Sequence, residues 1–250
     1  MKQIYVLAAI LFLITGCRRH VDHPGGGDHE PNPASKVRIK SSSGFTYTYD
    51  SKGRLSQSFY PNSSHARIEY TYTDKTVTGT EFGEDGRSFG PRIIYTLGDN
   101  GLASSDKYFL AGNSDSTITG YTYNTDRQLV EELAAEGNKA PVSRTIHYFS
   151  KGNEDSLKSF ALSNGKLLKY MRFEYYTDKA NSLSYENSGI SYLGASNANL
   201  LKSYFRIELG DTSTTTITYE FDAQKRPSKS HIIEDGRPLS DVLYTFIESP

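Results

Sequence analysis

Histidines and carboxylates are the side chains here that could move protons or hold a metal, and their spacing limits what they can do. Beyond residue 36 the histidines are His65, His147 and His231, each alone in a segment of alternating polar and apolar residues. Glu69, Glu174, Glu208 and Glu220 lie in similar segments. Two such carboxylates meeting in space would form the acid–base pair that cleaves glycosidic bonds, which is the alternative reading, a glycan-active enzyme. The His-Glu-x-x-His zinc pattern is absent. Solvated outer faces account for strand carboxylates, and a lone strand histidine is ordinarily packed or exposed. The expectation is therefore a non-catalytic protein with no cofactor. Metal-ligand types also crowd together at His20, Asp22, His23, Asp28, His29 and Glu30, but Pro24 and Gly25–Gly27 interrupt them. A glycine-rich segment does not preorganise ligands and the spacing fits no zinc site, so a solvated tether is expected and no metal.

The sole cysteine, Cys17, follows an apolar run from Ile4 to Ile14 that Lys2 precedes. An apolar run of about 11 residues is a signal-peptide core, too short to span a bilayer. Ile14-Thr15-Gly16-Cys17 resembles a bacterial lipobox, which implies cleavage between Gly16 and Cys17 and a diacylglycerol on the thiol. Acyl chains give lasting attachment at about 0.8 kcal/mol per buried methylene. Arg18 stands where inner-membrane lipoproteins carry a retaining Asp, so the expected address is the bacterial outer membrane. The chain divides into a signal peptide (1–16), a lipidated cysteine with a flexible linker (17–35), and one domain (36–250). Pro24-Gly25-Gly26-Gly27 and Pro31-Asn32-Pro33 make the linker unfit for helix or sheet.

What must position any site in the domain is a series of hairpins. Phe45–Tyr60 shows the unit: alternating Thr and aromatic residues, a polar turn with Gly53, then a second strand opened by Leu55. Tyr47/Tyr49, Tyr70/Tyr72, Tyr121/Tyr123, Phe173/Tyr175, Tyr219/Phe221 and Tyr244/Phe246 mark later copies. Turns at 50–53, 98–101, 124–127 and 222–225 are alike. Helical periodicity is weak, and Leu129–Glu136 takes the place of a strand in the repeat. The spacing predicts an all-β antiparallel meander of about 15 strands. So many strands cannot stay flat and open, because edges aggregate and twist accumulates. The meander is expected to close into a soluble β-barrel, either flattened so that its walls meet or holding water and a ligand. In Leu201–Leu209 the alternation suggests that Leu201, Phe205, Ile207 and Leu209 face the lumen. Lys169 between Leu167 and Met171 argues against a lipid-facing exterior.

The Tyr-x-Tyr-Asp-x-x-Gly-Arg-Leu pattern at Tyr47–Leu55 resembles a YD/RHS-type repeat. The wider layout is lipobox, linker and Tyr-rich meander, interrupted at Asp178-Lys-Ala-Asn181 and Ser196-Asn-Ala-Asn-Leu-Leu-Lys202. It resembles uncharacterised Bacteroidetes-type lipoproteins with a DUF4595-like domain, over roughly Lys36–Glu248. The resemblance implies a porin-like β fold and carries no catalytic residue. It also makes a structural wall built of YD-like repeats a further alternative.

With 28 basic against 29 acidic residues and a net charge of −1, no basic face for nucleic acid is expected. The rhythm breaks once, over the Ser/Asn/Gly-rich stretch Thr177–Asn199, where Leu183, Tyr185, Ile190, Tyr192 and Leu193 are expected to cap one end of the core. Tyr185, Tyr192, Asn197 and Asn199 are its candidate ligand-binding residues, for a glycan or a peptide. The sequence reads as a membrane-anchored binding or scaffold module of the cell envelope.

Overall fold

A computed structural model of the chain describes residues 37–60, 67–109 and 116–248. Cys17, Gly16, the linker ligands and His65 lie outside the described residues. The first strands are Val37–Ser42 (β1), Phe45–Tyr49 (β2), Leu55–Phe59 (β3), Arg67–Tyr72 (β4), Thr76–Phe82 (β5) and Ser88–Leu97 (β6). Next come Ala103–Phe109 (β7), Ser116–Tyr123 (β8), Leu129–Glu136 (β9), Ser143–Ser150 (β10) and Asn153–Ala161 (β11). Leu167–Ala180 (β12), Asn199–Glu208 (β13), Asp211–Phe221 (β14), Pro227–Glu234 (β15) and Arg237–Glu248 (β16) complete the set. Each strand pairs antiparallel with its neighbour in sequence, and β16 pairs with β1. The sheet is thus a closed sixteen-stranded meander, one strand more than the spacing suggested. Leu129–Glu136, with three glutamates and two alanines, is a strand as its place in the repeat requires.

Directly opposed residues in an antiparallel ladder share a face, so the register assigns inside and outside around the whole ring. Tyr72, Val77, Tyr95, Asp106 and Thr119 stand opposite one another in successive ladders. Val77 and Asp106 are buried, which makes this the inner face. The alternate face carries Arg67 with Glu69, Arg144 with Glu131, and Lys229 with Asp241. Along β14 the outward residues are Thr212, Thr214, Thr216, Thr218 and Glu220, all exposed, while Ser213, Thr215 and Ile217 are buried inside.

The sequence alternation in β13 misplaces one strand. Leu201 pairs with Tyr175 but Ser203 pairs with Glu174, so one residue bulges at Lys202 and the faces exchange. Tyr204, Arg206 and Glu208 therefore face inward, opposite Thr215, Ser213 and Asp211. Phe205 and Ile207 face outward, and Leu209 is 81% exposed in the following turn.

At the rim where β1 begins, the entry rim, the repeated turns share one hydrogen-bond scheme. Asp50 Oδ1 accepts from the backbone N–H of Lys52 and Arg54, and Oδ2 accepts from Arg54 Nε at 2.7 Å. Asp222 does the same with Gln224 and Arg226. Asn124 Oδ1 repeats the two backbone contacts with Asp126 and Gln128. The fourth turn residue has positive φ whether it is Gly53 (72°), Arg127 (63°) or Lys225 (60°), so the side-chain clamp holds even non-glycine residues there. Asp50→Ala, by removing three accepted bonds, is expected to lower stability by about 1–2 kcal/mol in urea denaturation. Asp50→Asn, which keeps an acceptor oxygen, is expected to lose less.

Residues 181–198, between β12 and β13, fold back into the barrel at the entry rim. Their main chain is tied to four turns or strands: Ile39 N–H to Asn187 O, Leu55 N–H to Gly189 O, Ala195 N–H to Arg127 O, and Ala198 N–H to Gly152 O. Leu183 packs on Ile39 and Leu200, with Tyr47, Tyr176, Tyr219, Tyr244 and Phe246 around them. Tyr192, in a 3-10 turn at Ser191–Leu193, packs on Val77 and Ala103 on the opposite wall. The plug thus bridges two core clusters that the wide ring could not close by itself. Gly194 (φ 98°) lies so close to the wall that a Cβ would stand 2.5 Å from Arg127 O and 2.7 Å from the Tyr123 ring. A Cβ on Gly189 would meet Leu55 N at 2.6 Å. Both contacts are with wall groups that cannot swing aside, so the plug's path is sterically fixed.

Candidate functional site

Two groups of polar side chains line the lumen, one beside the plug and one toward the far rim. The first centres on His147. Its Nδ1 is 2.7 Å from Glu154 Oε1, and its Nε2 is 3.7 Å from Glu132 Oε1. Register places all three inside: Glu132 opposite Thr145 on the His147 face, and His147 opposite Leu157. Burial alone would push the imidazole pKa down, but the flanking Glu132 and Glu154 outweigh it and raise it to about 9. The imidazole is consequently charged at neutral pH. The plug joins this group through Asn197, whose Oδ1 accepts from Glu154 N–H. Nearby on β7, burial raises the Asp106 carboxyl pKa against the lowering effect of hydrogen bonds from Tyr121 and Thr119.

The second group is a ladder of charges. Lys169 Nζ is 3.8 Å from Glu208 Oε1, Arg206 Nη1 is 3.6 Å from Glu208 Oε2, and Arg206 Nη2 is 3.4 Å from Glu234 Oε1. Arg206 is 36% and Glu208 42% exposed, so solvent reaches this part of the inner wall. Tyr204 shares the face, its ring 6.4 Å from that of Phe173. Five buried side-chain polar atoms among the described residues have no hydrogen-bond partner. Asp106 Oδ1, His147 Nε2, Ser213 Oγ and Thr215 Oγ1 all belong to inward-facing strand residues, and the fifth, Ser182 Oγ, belongs to the plug. No group of three His, Cys, Asp or Glu among the described residues is arranged to hold a metal ion.

The carboxylates singled out from sequence do not meet. Glu69 bonds Arg67, Glu174 accepts from Ser203, and Glu220 contacts His231, all on the outer wall. Only Glu208 faces the lumen. His231 is held outside between Glu220 and Asp241, at 2.8 Å each. The carboxylates that do converge, Glu132 and Glu154, were not distinguished by sequence. The available signal was His147 and Glu154 flanking the tight Lys151-Gly152 turn seven residues apart. The expectation that the chain lacks a Gly-x-Ser-x-Gly spacing is corrected: Gly86-Arg87-Ser88-Phe89-Gly90 has it. It falls on the β5–β6 hairpin, where exposed Ser88 Oγ accepts from Gly90 N–H, and has no strand-to-helix context.

Of the four candidates in the interruption, Tyr185, Tyr192 and Asn197 belong to the plug and Asn199 opens β13. Tyr192 is 8% exposed, with Tyr95 5.0 Å and Tyr72 6.4 Å from its ring. Tyr185 is half-buried; burial, then the Glu154 and Glu132 carboxylates, push its phenol pKa up. Asn197 is 1% exposed. Asn199 and Asn153 bond reciprocally, side-chain amide to side-chain oxygen at 3.1 Å and N–H to side-chain oxygen at 3.0 Å. A cleft of about 460 Å³ opens at the entry rim where the β7–β8 ladder stops. Its walls include Ala103 and Tyr121, which pack in the Tyr192 cluster, so the plug backs it.

A closed up-and-down barrel with its own chain folded into one rim is the class these features define, and it has solved relatives in fold. The chain is similar to a porin-like protein from Bacteroides uniformis ATCC 8492, with TM-score 0.54 and 19% identity over 84% of this chain and 96% of that one. It is also similar to a porin-like protein from Bacteroides vulgatus ATCC 8482, with TM-score 0.55 and 12% identity over 83% and 98%. No protein-family model matches the chain, and no curated protein does. At these identities the likeness is one of fold: the chain has a porin-like β fold.

Proposed function

We propose that this is a lipid-anchored cell-envelope protein of the DUF4595-like kind, held on the outer membrane through Cys17. Its barrel is a non-catalytic binding or scaffold module for a glycan or a peptide. The observation that carries this reading is the lumen: plugged by the chain's own residues at the entry rim and lined by solvent-reached polar groups toward the far rim. The ionic outer wall supports a barrel that stands off the bilayer rather than within it, since each charge on a lipid face costs about 2–4 kcal/mol at mid-membrane. β1 starts at the plugged rim, so the tether through Cys17 joins the barrel on that side.

The test is metabolic labelling with an alkyne fatty acid in the native host. Wild-type chain is expected to carry the label and sediment with outer membranes, and Cys17→Ser to lose both. An unlabelled wild-type chain, or a labelled barrel whose outer wall is protected by bilayer from a soluble carboxylate-modifying reagent, would overturn the reading.

A further inference from the structure

We propose that the inner face of β13–β15 in the far half of the lumen is a binding site for a neutral, hydroxyl-rich ligand, a saccharide. The inference deepens the binding role proposed above and rests on it. Thr215 is fully buried and Ser213 is 9% exposed, yet neither hydroxyl has a partner. Buried hydroxyls are nearly always bonded, and one left unmet costs folding free energy. Two such groups, adjacent on one inward row, leave this wall's hydrogen bonding incomplete beside the solvent-reached Arg206 and Glu208.

The charged groups beside them are also incompletely engaged. Arg206 stands 3.4 Å from Glu234 and 3.6 Å from Glu208, well beyond the distances of tight charge-assisted bonds. Planar guanidinium and carboxylate groups with directions to spare match the vicinal hydroxyls of a sugar, donor to one and acceptor to the next. Tyr204, beside Phe173, supplies an apolar ring on the same wall for a sugar's C–H face.

Charge selects within the polar ligands. Lys169, Arg206 and Arg237 are balanced by Glu208, Asp211 and Glu234, so this wall favours neither an anion nor a cation. Deeper in, Glu132 and Glu154 share a single imidazole, which disfavours phosphates and acidic sugars. A neutral glycan is the class left.

The experiment titrates the full chain with neutral xylo-, gluco-, manno- and galacto-oligosaccharides, and with acidic and basic peptides, by calorimetry. At least one neutral oligosaccharide series is expected to bind. Arg206→Ala is expected to weaken it tenfold or more and Thr215→Val several-fold, while outward-facing Thr214→Val leaves it unchanged. Thr215→Val is also expected to melt at or above the wild-type temperature, because it removes an unmet hydroxyl. A lower melting temperature would mean that the hydroxyl serves the fold, and would overturn the site. Saccharide binding unchanged in both variants would also overturn it, leaving the binding role standing. Arg206-dependent binding of peptides in place of sugars would overturn the ligand class alone. Absence of binding to every probe would overturn both the site and the binding role.

Discussion

Tyr192→Ala is expected to cost about 3–5 kcal/mol of folding stability, the range for truncating a large buried aromatic side chain. The ring is the buried plug side chain at the centre of the cluster on the β4–β8 wall, against Val77 and Ala103 and beside Tyr72 and Tyr95. Removing it leaves a cavity between two parts that cannot collapse together, because the ring of strands fixes the wall and main-chain bonds fix the plug. Tyr192→Phe keeps the ring and is expected to stay within about 1 kcal/mol of wild type. Urea denaturation with paired hydrogen-exchange measurements checks both. Tyr192→Ala should also expose the amides of Leu55 and Ala195, which bond plug and wall to each other. A loss below about 1 kcal/mol would mean that the plug is not part of the core.

The second large effect is a pH dependence. The folded-state pKa of His147 is raised to about 9, above the ordinary histidine value of about 6.5. The stability it contributes is therefore whole below about pH 6.5 and is lost as pH rises through about 9. A shift of this size corresponds to about 3 kcal/mol by linkage. Above that window Glu132 and Glu154 face a neutral ring, and the repulsion falls beside Asn197, where the plug is tied down. His147→Gln is expected to be less stable than wild type at pH 6 and to show a flatter profile from pH 6.5 to 10. Equal slopes in wild type and His147→Gln would refute the assignment.

The meander, its hairpin turns and its closure were legible in the sequence because each is local. Asp50, Gly53 and Arg54 spell their turn within five residues, and period-two alternation survives even the alanines of β9. The plug was legible as an interruption at Thr177–Asn199, with Leu183 and Tyr192 already marked as core. What escaped was whatever depends on register. A single bulged residue at Lys202 reverses the faces of β13, and no local signal in Leu-Leu-Lys-Ser-Tyr reveals it. The same holds for Glu132 and Glu154, which come from different hairpins and converge only once β10 sets His147 between them. Glu69, Glu174 and Glu220 looked equivalent to these in sequence and face the opposite way.

The ladder that closes the ring, Val37 opposite Glu248, also sets the chain's two described ends side by side on the plugged rim. A circular permutant that joins them through a short bridge and is cut at the Asp235-Gly236 turn keeps every hydrogen-bonded neighbour. It moves the proposed attachment point to the opposite edge, so the far rim of the lumen becomes the rim nearest the proposed lipid. Comparing that inverted molecule with the native one in living cells separates what the lumen does from the direction in which it must look.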